Sequence, residues 1–195
     1  MKKKLSFLFA AALMVFVLAG CGGTSSGSVD SGKHHVEIQV KDYGTIKVEL
    51  DADTAPISVS NFIKLAKDGF YDGLTFHRII SGFMIQGGDP SGNGTGGSDE
   101  TIKGEFSANG VENGISHVRG VISMARSQNY DSASSQFFIM HADAPSLDGQ
   151  YAAFGKVTEG MEIVDKICED TPVTDDNGTV KAEEQPKIES VKVID

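Results

Sequence analysis

The sequence predicts a mainly β fold: a closed barrel of about eight short strands, with two α-helices covering its ends. Three observations indicate this class. Apolar and polar residues alternate in several short segments, which is the period of a β-strand. Glycine-bearing turns separate most of these segments. Only two segments have the apolar spacing of a helix, so a parallel sheet with a helix after every strand is not expected.

The elements follow one another along the chain. Residues 36–50 predict two antiparallel strands around a Tyr-Gly turn. In the first helix, Asp53 or Thr54 is expected to cap the N-terminus, Pro56 suits the first turn, and Gly69 is expected to end it. The remaining segments predict strands in LTFHRII, FMIQGGD, RGVISMA, QFFIM and YAAFGKV, a helix in MEIVDKIC, a tight turn at DDNG and a final strand in PKIESVKVI.

Residues 1–20 are expected to form a signal peptide. Three lysines precede an apolar run, residues 5–19, that is too short for an ordinary membrane span. The run leads into Leu-Ala-Gly-Cys, which resembles a bacterial lipobox. The resemblance implies cleavage before Cys21 and a lipid on its sulfur; the alternative is a plain secretory signal with an incidental cysteine. We therefore expect an exported chain, anchored to the bacterial cell membrane through Cys21, with its domain outside the cytoplasm.

The domain is expected to span residues 35–195, after the lipidated cysteine and a flexible linker (residues 21–34) rich in glycine and serine. The formal net charge of −10 argues against nucleic acid and anionic membrane surfaces as partners, so a lipid would have to provide the anchor. Cys168 lies beside an apolar helix face and is interpreted as a structural thiol. A monomer is expected.

The glycine-rich stretch 87–97 invites comparison with a phosphate-binding loop. Gly92, Gly94 and Gly97 match the spacing of the dinucleotide fingerprint, but the polar residues that follow do not open a helix. No lysine follows a glycine in this stretch, as the ATP-type loop requires. A nucleotide site is therefore not expected.

Metal and nucleophile chemistry are not expected either. His34 and His35 are assigned to a solvated tail, and the other three histidines are scattered along the chain without cysteine partners. No Gly-x-Ser-x-Gly motif is present to expose a nucleophilic serine. The sequence thus predicts a site without a metal or a cofactor.

Arg78 lies in an otherwise apolar strand. Strand alternation places Phe76, Arg78 and Ile80 on one face, and His77 and Ile79 on the other. By pattern alone, an arginine on the solvated face is the more common outcome.

Three blocks then resemble the cyclophilin family of peptidyl-prolyl cis-trans isomerases: FHRIISGFMIQGGDPSGNGTGG, SMARSQNYDSASSQFFI and LDGQYAAFGKV. The resemblance runs from about residue 36 to the C-terminus. It implies an eight-stranded antiparallel barrel capped by two helices, with a surface groove that binds proline-containing polypeptides. The implied activity is isomerisation of X–Pro bonds, here in exported proteins.

The resemblance also implies roles for the residues of the groove. Arg78 would be the catalytic arginine, and Gln86 and the main chain of Arg126 would bond the substrate backbone. The proline pocket would be lined by Phe83, Met84, Phe138 and Leu147. The other expected groove residues are Gly94, Ala125, Ser127, Gln136 and Tyr151.

Three positions depart from the family pattern. A tryptophan usually found before the Leu-Asp-Gly block is Ser146, which predicts weak cyclosporin binding. A pocket histidine is Tyr151, which keeps a ring and adds a hydroxyl. The asparagine of the groove wall is Arg126, a change that should be tolerated if this position acts through its backbone.

Two other functions stay open on the sequence. The chain could be a tethered, chaperone-like binder of proline-containing segments with little turnover, or a structural surface protein that keeps the fold without activity. The intact Arg78 favours an enzyme, because a binder would not require it.

Overall fold

A computed structural model describes residues 31–195. The predicted signal peptide, the predicted lipidation site at Cys21 and most of the predicted linker lie outside the described residues. The strands are β1 Lys33–Val40, β2 Gly44–Asp51, β3 Phe76–Ile80, β4 Met84–Gly87, β5 Val121–Met124, β6 Phe137–Met140, β7 Ala153–Glu159 and β8 Ile188–Val193. The helices are α1 Pro56–Lys67 and α2 Met161–Asp170, and short 3-10 turns occupy Ser107–Asn109, Pro145–Leu147 and Ala182–Glu184.

The eight strands form one antiparallel sheet in the order β3-β4-β6-β5-β7-β2-β1-β8, so the mainly β prediction is confirmed. The predicted closure is overstated. The edge strands β3 and β8 meet only at one end, through main-chain hydrogen bonds such as Ile188 N to Leu74 O at 2.8 Å. Further along, the edge of β3 is covered by a turn instead, because Ile79 N donates to Gly178 O at 2.8 Å. The sheet is therefore a curled half-barrel without a continuous closing ladder.

The core lies on the concave side of this sheet. The alternation predicted for the first hairpin is confirmed, since the inward residues Val36, Ile38, Val40, Ile46, Val48 and Leu50 are all buried. Helix α1 contributes Phe62, whose ring packs against the rings of Tyr71, Phe137 and Phe154 at centroid distances of 4.9–5.4 Å. These aromatic contacts join the helix to the strands that carry the groove.

The predicted cap of α1 is wrong. The helix begins after Ala55, and the Thr54 hydroxyl donates to Asp51 instead of accepting a hydrogen bond from a helix N–H. The carboxylate of Glu105, which is buried, accepts hydrogen bonds from the backbone N–H groups of Ile57 and Ser58 at 2.9 and 2.7 Å. A negative group at a helix N-terminus satisfies free N–H groups and complements the helix dipole. The cap is thus supplied from a distant part of the chain, which local sequence spacing could not indicate.

The first strand begins two residues before the predicted start of the domain. Strand β1 begins at Lys33, and that side chain pairs with Asp51 at 2.5 Å. His34 also lies in β1, opposite Leu50. His35, assigned to a tail, is fixed by a hydrogen bond from its N–H to Asp195 at 2.8 Å. Cross-strand pairing with β2 therefore orders this segment despite its low apolar content.

Helix α2 and the end of α1 follow the predictions. Ile163, Val164 and Ile167 form the buried face of α2. Cys168 packs at the border of the core, and burial raises the pKa of its thiol to about 12, as suits a structural residue. Gly69 has a φ of +69° just after α1, as expected of a glycine that ends a helix.

Among residues 31–195, no helix has both the length and the apolar character needed to cross a bilayer.

Candidate active site

A β-bulge in β3 sets the direction of Arg78. The ladder pairs Phe76 with Gly87 but Arg78 with Gln86, so one extra residue lies between them. Phe76 is consequently buried in the core, whereas Arg78 faces outward and is only half-buried. The prediction that these two residues share a face is therefore wrong, because strict alternation does not continue through a bulge.

Arg78 is held on two sides. Its Nε donates to the carbonyl oxygen of Asn177 at 2.9 Å, and Nη2 donates to Oδ1 of Asn177 at 3.2 Å. On the other side, Nη1 donates to Oε1 of Gln86 at 3.1 Å. Oxygens of the described residues thus take three of the five guanidinium N–H groups. The second N–H of Nη1 faces Sδ of Met84, a weak acceptor, so one N–H on Nη2 is left for a ligand. Partial burial lowers the pKa of Arg78, but a guanidinium stays charged in proteins.

The guanidinium borders a cavity of about 220 Å³ with a mixed polar and apolar lining, which we call the Arg78 cavity. Nη1 of Arg78 lies 3.9 Å from Sδ of Met84 inside it. The full lining is Arg78, Phe83, Met84, Gln86, Ala125, Arg126, Phe138, Leu147 and Tyr151. A small cavity that places Phe83, Met84, Phe138 and Leu147 beside a fixed cation suits a compact apolar ring next to an acceptor atom.

The floor of the Arg78 cavity is rigid. The ring of Phe138 meets Tyr151 edge-on at 5.8 Å and stacks on His117 at 6.1 Å. His117 is buried, and its ring nitrogens lie 2.9 Å from the Asp148 carboxylate and 3.1 Å from the Ser123 hydroxyl. Burial lowers the pKa of His117, although Asp148 opposes this. His117 therefore supports the cavity from behind.

A second cavity, of about 360 Å³, adjoins the first and is called the Gly94 cavity. The two share Gln86, Ala125 and Arg126 in their linings, so together they form one groove. The remaining lining residues of the Gly94 cavity are Gly94, Thr95, Gly96, Gly97, Ser98, Ser127, Ser132, Ser134 and Gln136. This half of the groove is rich in backbone and hydroxyl groups, which suit a polypeptide main chain.

The glycine-rich loop is built around the buried carboxylate of Asp89. Its oxygens accept hydrogen bonds from the N–H groups of Ser91, Asn93 and Gly94 at 2.6–3.0 Å. Burial acts to raise the pKa of Asp89, but these bonds lower it, so the group remains ionised. Gly94 has a φ of +88°, which other residues rarely adopt. Loop N–H groups that would face a phosphate in a nucleotide site are directed at Asp89 here.

Two glutamines connect the cavities. Nε2 of Gln86 donates to Oε1 of Gln136 at 2.9 Å, and Nε2 of Gln136 donates to the carbonyl oxygens of Gly96 and Gly94 at 2.7 and 3.2 Å. With Arg78 donating to its oxygen, the amide of Gln86 has one orientation only. One of its N–H groups stays available to a ligand.

Every groove residue expected from the sequence lies in the lining of one of these two cavities. Asn177 was missed, although it makes two of the three oxygen contacts of Arg78. The sequence predicted the DDNG turn that carries Asn177, but it did not predict that this turn packs against β3. Gly178 has a φ of +79°, and a Cβ there would collide with the carbonyl oxygen of Ile79. This close approach places the turn against β3.

A model of the family described as cyclophilin type peptidyl-prolyl cis-trans isomerase/CLD matches residues 35–193. The chain belongs to the cyclophilin family. Like the other members, it is a peptidyl-prolyl cis-trans isomerase. Among residues 31–195, no three His, Cys, Asp or Glu side chains group as the ligands of a metal would.

Known cyclophilins resemble the chain over most of its length. The "Probable peptidyl-prolyl cis-trans isomerase" of Brucella suis is 42% identical over 190 residues, which cover 91% of this chain and 92% of the relative. Peptidyl-prolyl cis-trans isomerase B of Bacillus subtilis is 50% identical over 123 residues, 63% of this chain and 82% of the relative. A Cryptosporidium parvum cyclophilin, crystallised in the presence of the dipeptide Ala-Pro, superposes with a TM-score of 0.72 at 32% identity, covering 83% of this chain and 99% of that one.

Proposed function

We propose that Arg78 is the catalytic residue of this cyclophilin and that the groove binds X–Pro segments of polypeptides. The observation that carries the proposal is the position of the Arg78 guanidinium. It borders a cavity that contains several apolar side chains, is oriented by Asn177 and Gln86, and keeps an N–H group for a ligand. The crystallisation of the Cryptosporidium cyclophilin in the presence of Ala-Pro supports an X–Pro substrate.

The chemistry needs no bond to break. Rotation about a peptide bond has a barrier of about 18–20 kcal/mol, because resonance gives the C–N bond partial double-bond character. In the twisted amide this resonance is lost, and the prolyl nitrogen becomes a better hydrogen-bond acceptor. Arg78 donates to that nitrogen in the twisted state and not in the planar one. An interaction made only in the transition state raises the turnover rate.

The remaining groove residues hold the two ends of the rotating bond. The proline ring enters the Arg78 cavity between Met84 and Phe138. The substrate backbone receives a hydrogen bond from the free N–H of Gln86 and pairs with the main chain of Arg126 along the Gly94 cavity. Fixing both sides confines rotation to one bond, which lowers the entropic cost of reaching the twisted state.

The test of Arg78 is the value of kcat/KM for Arg78→Ala on an X–Pro peptide in a protease-coupled assay. We expect a loss of about 10²-fold, as for removal of one donor that stabilises a transition state. Arg119→Ala is the matched control, because Arg119 pairs with Asp165 at 2.7 Å and lines neither cavity. A loss below about threefold for Arg78→Ala would falsify the assignment, since it is smaller than the effect of one ordinary hydrogen bond.

We further propose that this cyclophilin acts on exported proteins while anchored to the membrane by a lipid on Cys21. The lysine-rich start, the short apolar run and the small residues before Cys21 support this. In cells fed radiolabelled palmitate, the wild type should carry label and sediment with membranes, and Cys21→Ala should do neither. Cys168→Ala is the matched control and should keep the label. A Cys21→Ala chain that stays labelled and membrane-bound contradicts the anchor.

A further inference from the structure

The side chain of Arg126 lies among three aromatic rings. Its guanidinium carbon is 4.6 Å from the ring centre of Tyr151, 4.9 Å from that of Tyr130 and 5.1 Å from that of Phe106. Each distance is within the range of a cation–π contact. The arginine that replaces the family's asparagine is therefore a packed part of the groove wall.

The same guanidinium joins two loops by hydrogen bonds. Nε and Nη2 of Arg126 both donate to the carbonyl oxygen of Gln150, at 3.0 and 2.8 Å. Nη1 donates to the carbonyl oxygen of Ser127 at 2.9 Å. The N–H groups of the Arg126 guanidinium thus hold the peptide group that directly precedes Tyr151. The flat face of the same guanidinium covers the Tyr151 ring. No strand ladder fixes Tyr151, because β7 begins at Ala153.

Because Arg126 restrains Tyr151, it also affects the wall of the Arg78 cavity. Its ring meets Phe138 edge-on at 5.8 Å, and both rings line the Arg78 cavity. Arg126 lines that cavity as well, next to Tyr151. The position of the Tyr151 ring therefore decides the width of the space between Phe138 and the loop.

We propose that the Arg126 side chain is a positioning residue for affinity: it fixes Tyr151 in the wall of the Arg78 cavity and so sets how tightly the proline ring is held. This inference rests on the proposed function, which places the proline in that cavity. It goes beyond the expectation that position 126 acts through its backbone. Lysine cannot replace this arginine, because an ammonium group has neither the flat face nor the fork.

The test is a double-mutant cycle in the full-length chain with the peptide succinyl-Ala-Ala-Pro-Phe-p-nitroanilide. NMR exchange measurements over a range of peptide concentrations give KM and kcat separately, and titration gives Kd. We expect Arg126→Ala to raise KM and Kd about tenfold and to leave kcat within about twofold. Tenfold corresponds to about 1.4 kcal/mol, which is within the range of a partly desolvated cation–π contact.

Three further variants identify the route of the effect. Arg126→Lys should bind as poorly as Arg126→Ala. In a Tyr151→Leu background, Arg126→Ala should raise Kd by less than about twofold, because the ring through which Arg126 acts is gone. In a Tyr151→Phe background, which keeps the ring, Arg126→Ala should still raise Kd about tenfold.

Other outcomes overturn the proposal. Rescue of peptide binding by Arg126→Lys would mean that charge alone matters, as in a direct contact with the substrate. Independent effects of Arg126→Ala and Tyr151→Leu would mean that the two residues do not act together. A lower melting temperature with unchanged KM would show a purely structural role. Kd is measured without turnover. The double-mutant cycle of Arg126 and Tyr151 can therefore be interpreted even if Arg78 proves not to be catalytic.

Discussion

The groove has two walls that are held in different ways. The strand wall consists of Arg78, Met84, Gln86 and Phe138, on β3, β4 and β6, whose positions are fixed by ladder hydrogen bonds. The loop wall consists of Ala125, Arg126, Leu147 and Tyr151, which lie outside the strands. Isolated main-chain hydrogen bonds, such as Ala125 N to Gln136 O, and side-chain contacts, above all those of Arg126, hold the loop wall. We infer from this difference that the strand wall carries catalysis and that the loop wall adjusts affinity.

The two arginines show the same division. Arg78 keeps one N–H group on Nη2 free and faces the cavity beside Met84. Arg126 has its flat face covered by Tyr151 and its fork occupied by the Gln150 carbonyl. One arginine is therefore arranged to bind a ligand, and the other to hold protein.

Replacing Arg78 by lysine should have the largest effect on the strand wall. Arg78→Lys keeps the charge but loses the two contacts with Asn177 that fix its direction. We expect kcat to fall by about 10²-fold with little change in KM. NMR exchange at saturating peptide measures kcat. Full activity in Arg78→Lys would mean that charge, and not an oriented donor, drives catalysis.

Removing Asn177 should have the next largest effect. Asn177→Ala frees Nη2 of Arg78, so the guanidinium spends less time in its productive orientation. Loss of one such bond costs about 1 kcal/mol, or about fivefold in kcat. The control is Asp176→Ala, its exposed neighbour in the same turn. An Asn177→Ala variant that changes KM and spares kcat would assign Asn177 to binding.

Loosening the loop wall at a distance should affect affinity only. Oδ1 of Asp131 accepts hydrogen bonds from Gly104 N at 3.0 Å and from Asn109 Nδ2 at 2.7 Å. These bonds tie the loop that carries Tyr130 to the segment that carries Phe106. Asp131→Ala should raise KM about threefold, comparable to the loss of one net hydrogen bond, and leave kcat unchanged. Asp170→Ala, at the exposed end of α2, is the control; a fall in kcat for Asp131→Ala would remove the distinction between the walls.

The smallest expected effect is on the pH dependence of the melting temperature. Burial lowers the pKa of His117 below its ordinary value of 6.5, so the folded protein favours the neutral ring. The contribution of His117 is fully present above pH 6.5 and is lost as the pH falls towards the folded pKa, because the unfolded chain takes up the proton first. We expect the melting temperature to fall between pH 7.5 and pH 5, by a few degrees. An NMR titration that places the His117 midpoint above 6.5 would contradict this.

The strand wall could be predicted from the sequence, and the loop wall only in part. Residues on β3 and β4 lie in one continuous block with strand periodicity, so their roles follow from the family pattern. The side chain of Arg126 could not be placed, because its partners Phe106 and Gln150 lie 20 residues before and 24 residues after it in the sequence. Only folding brings these groups together.

The errors in the fold have the same origin. The bulge before Arg78 changes the face of Phe76, and a single extra residue leaves no clear mark in an apolar strand. The cap of α1 comes from Glu105, 48 residues beyond Ile57. Local spacing predicts local structure well, as for α2 and the first hairpin. It does not predict which distant side chain completes an element.

In the proposed mechanism, Arg78 stabilises the twisted amide and contributes little to ground-state binding. The most direct test compares wild type and Arg78→Ala on the same X–Pro peptide, with Kd and the isomerisation rate read from one NMR titration. We predict that Kd stays within about threefold while the rate at saturation falls by about 10²-fold. Parallel losses in Kd and rate, or an unchanged rate, would contradict the account.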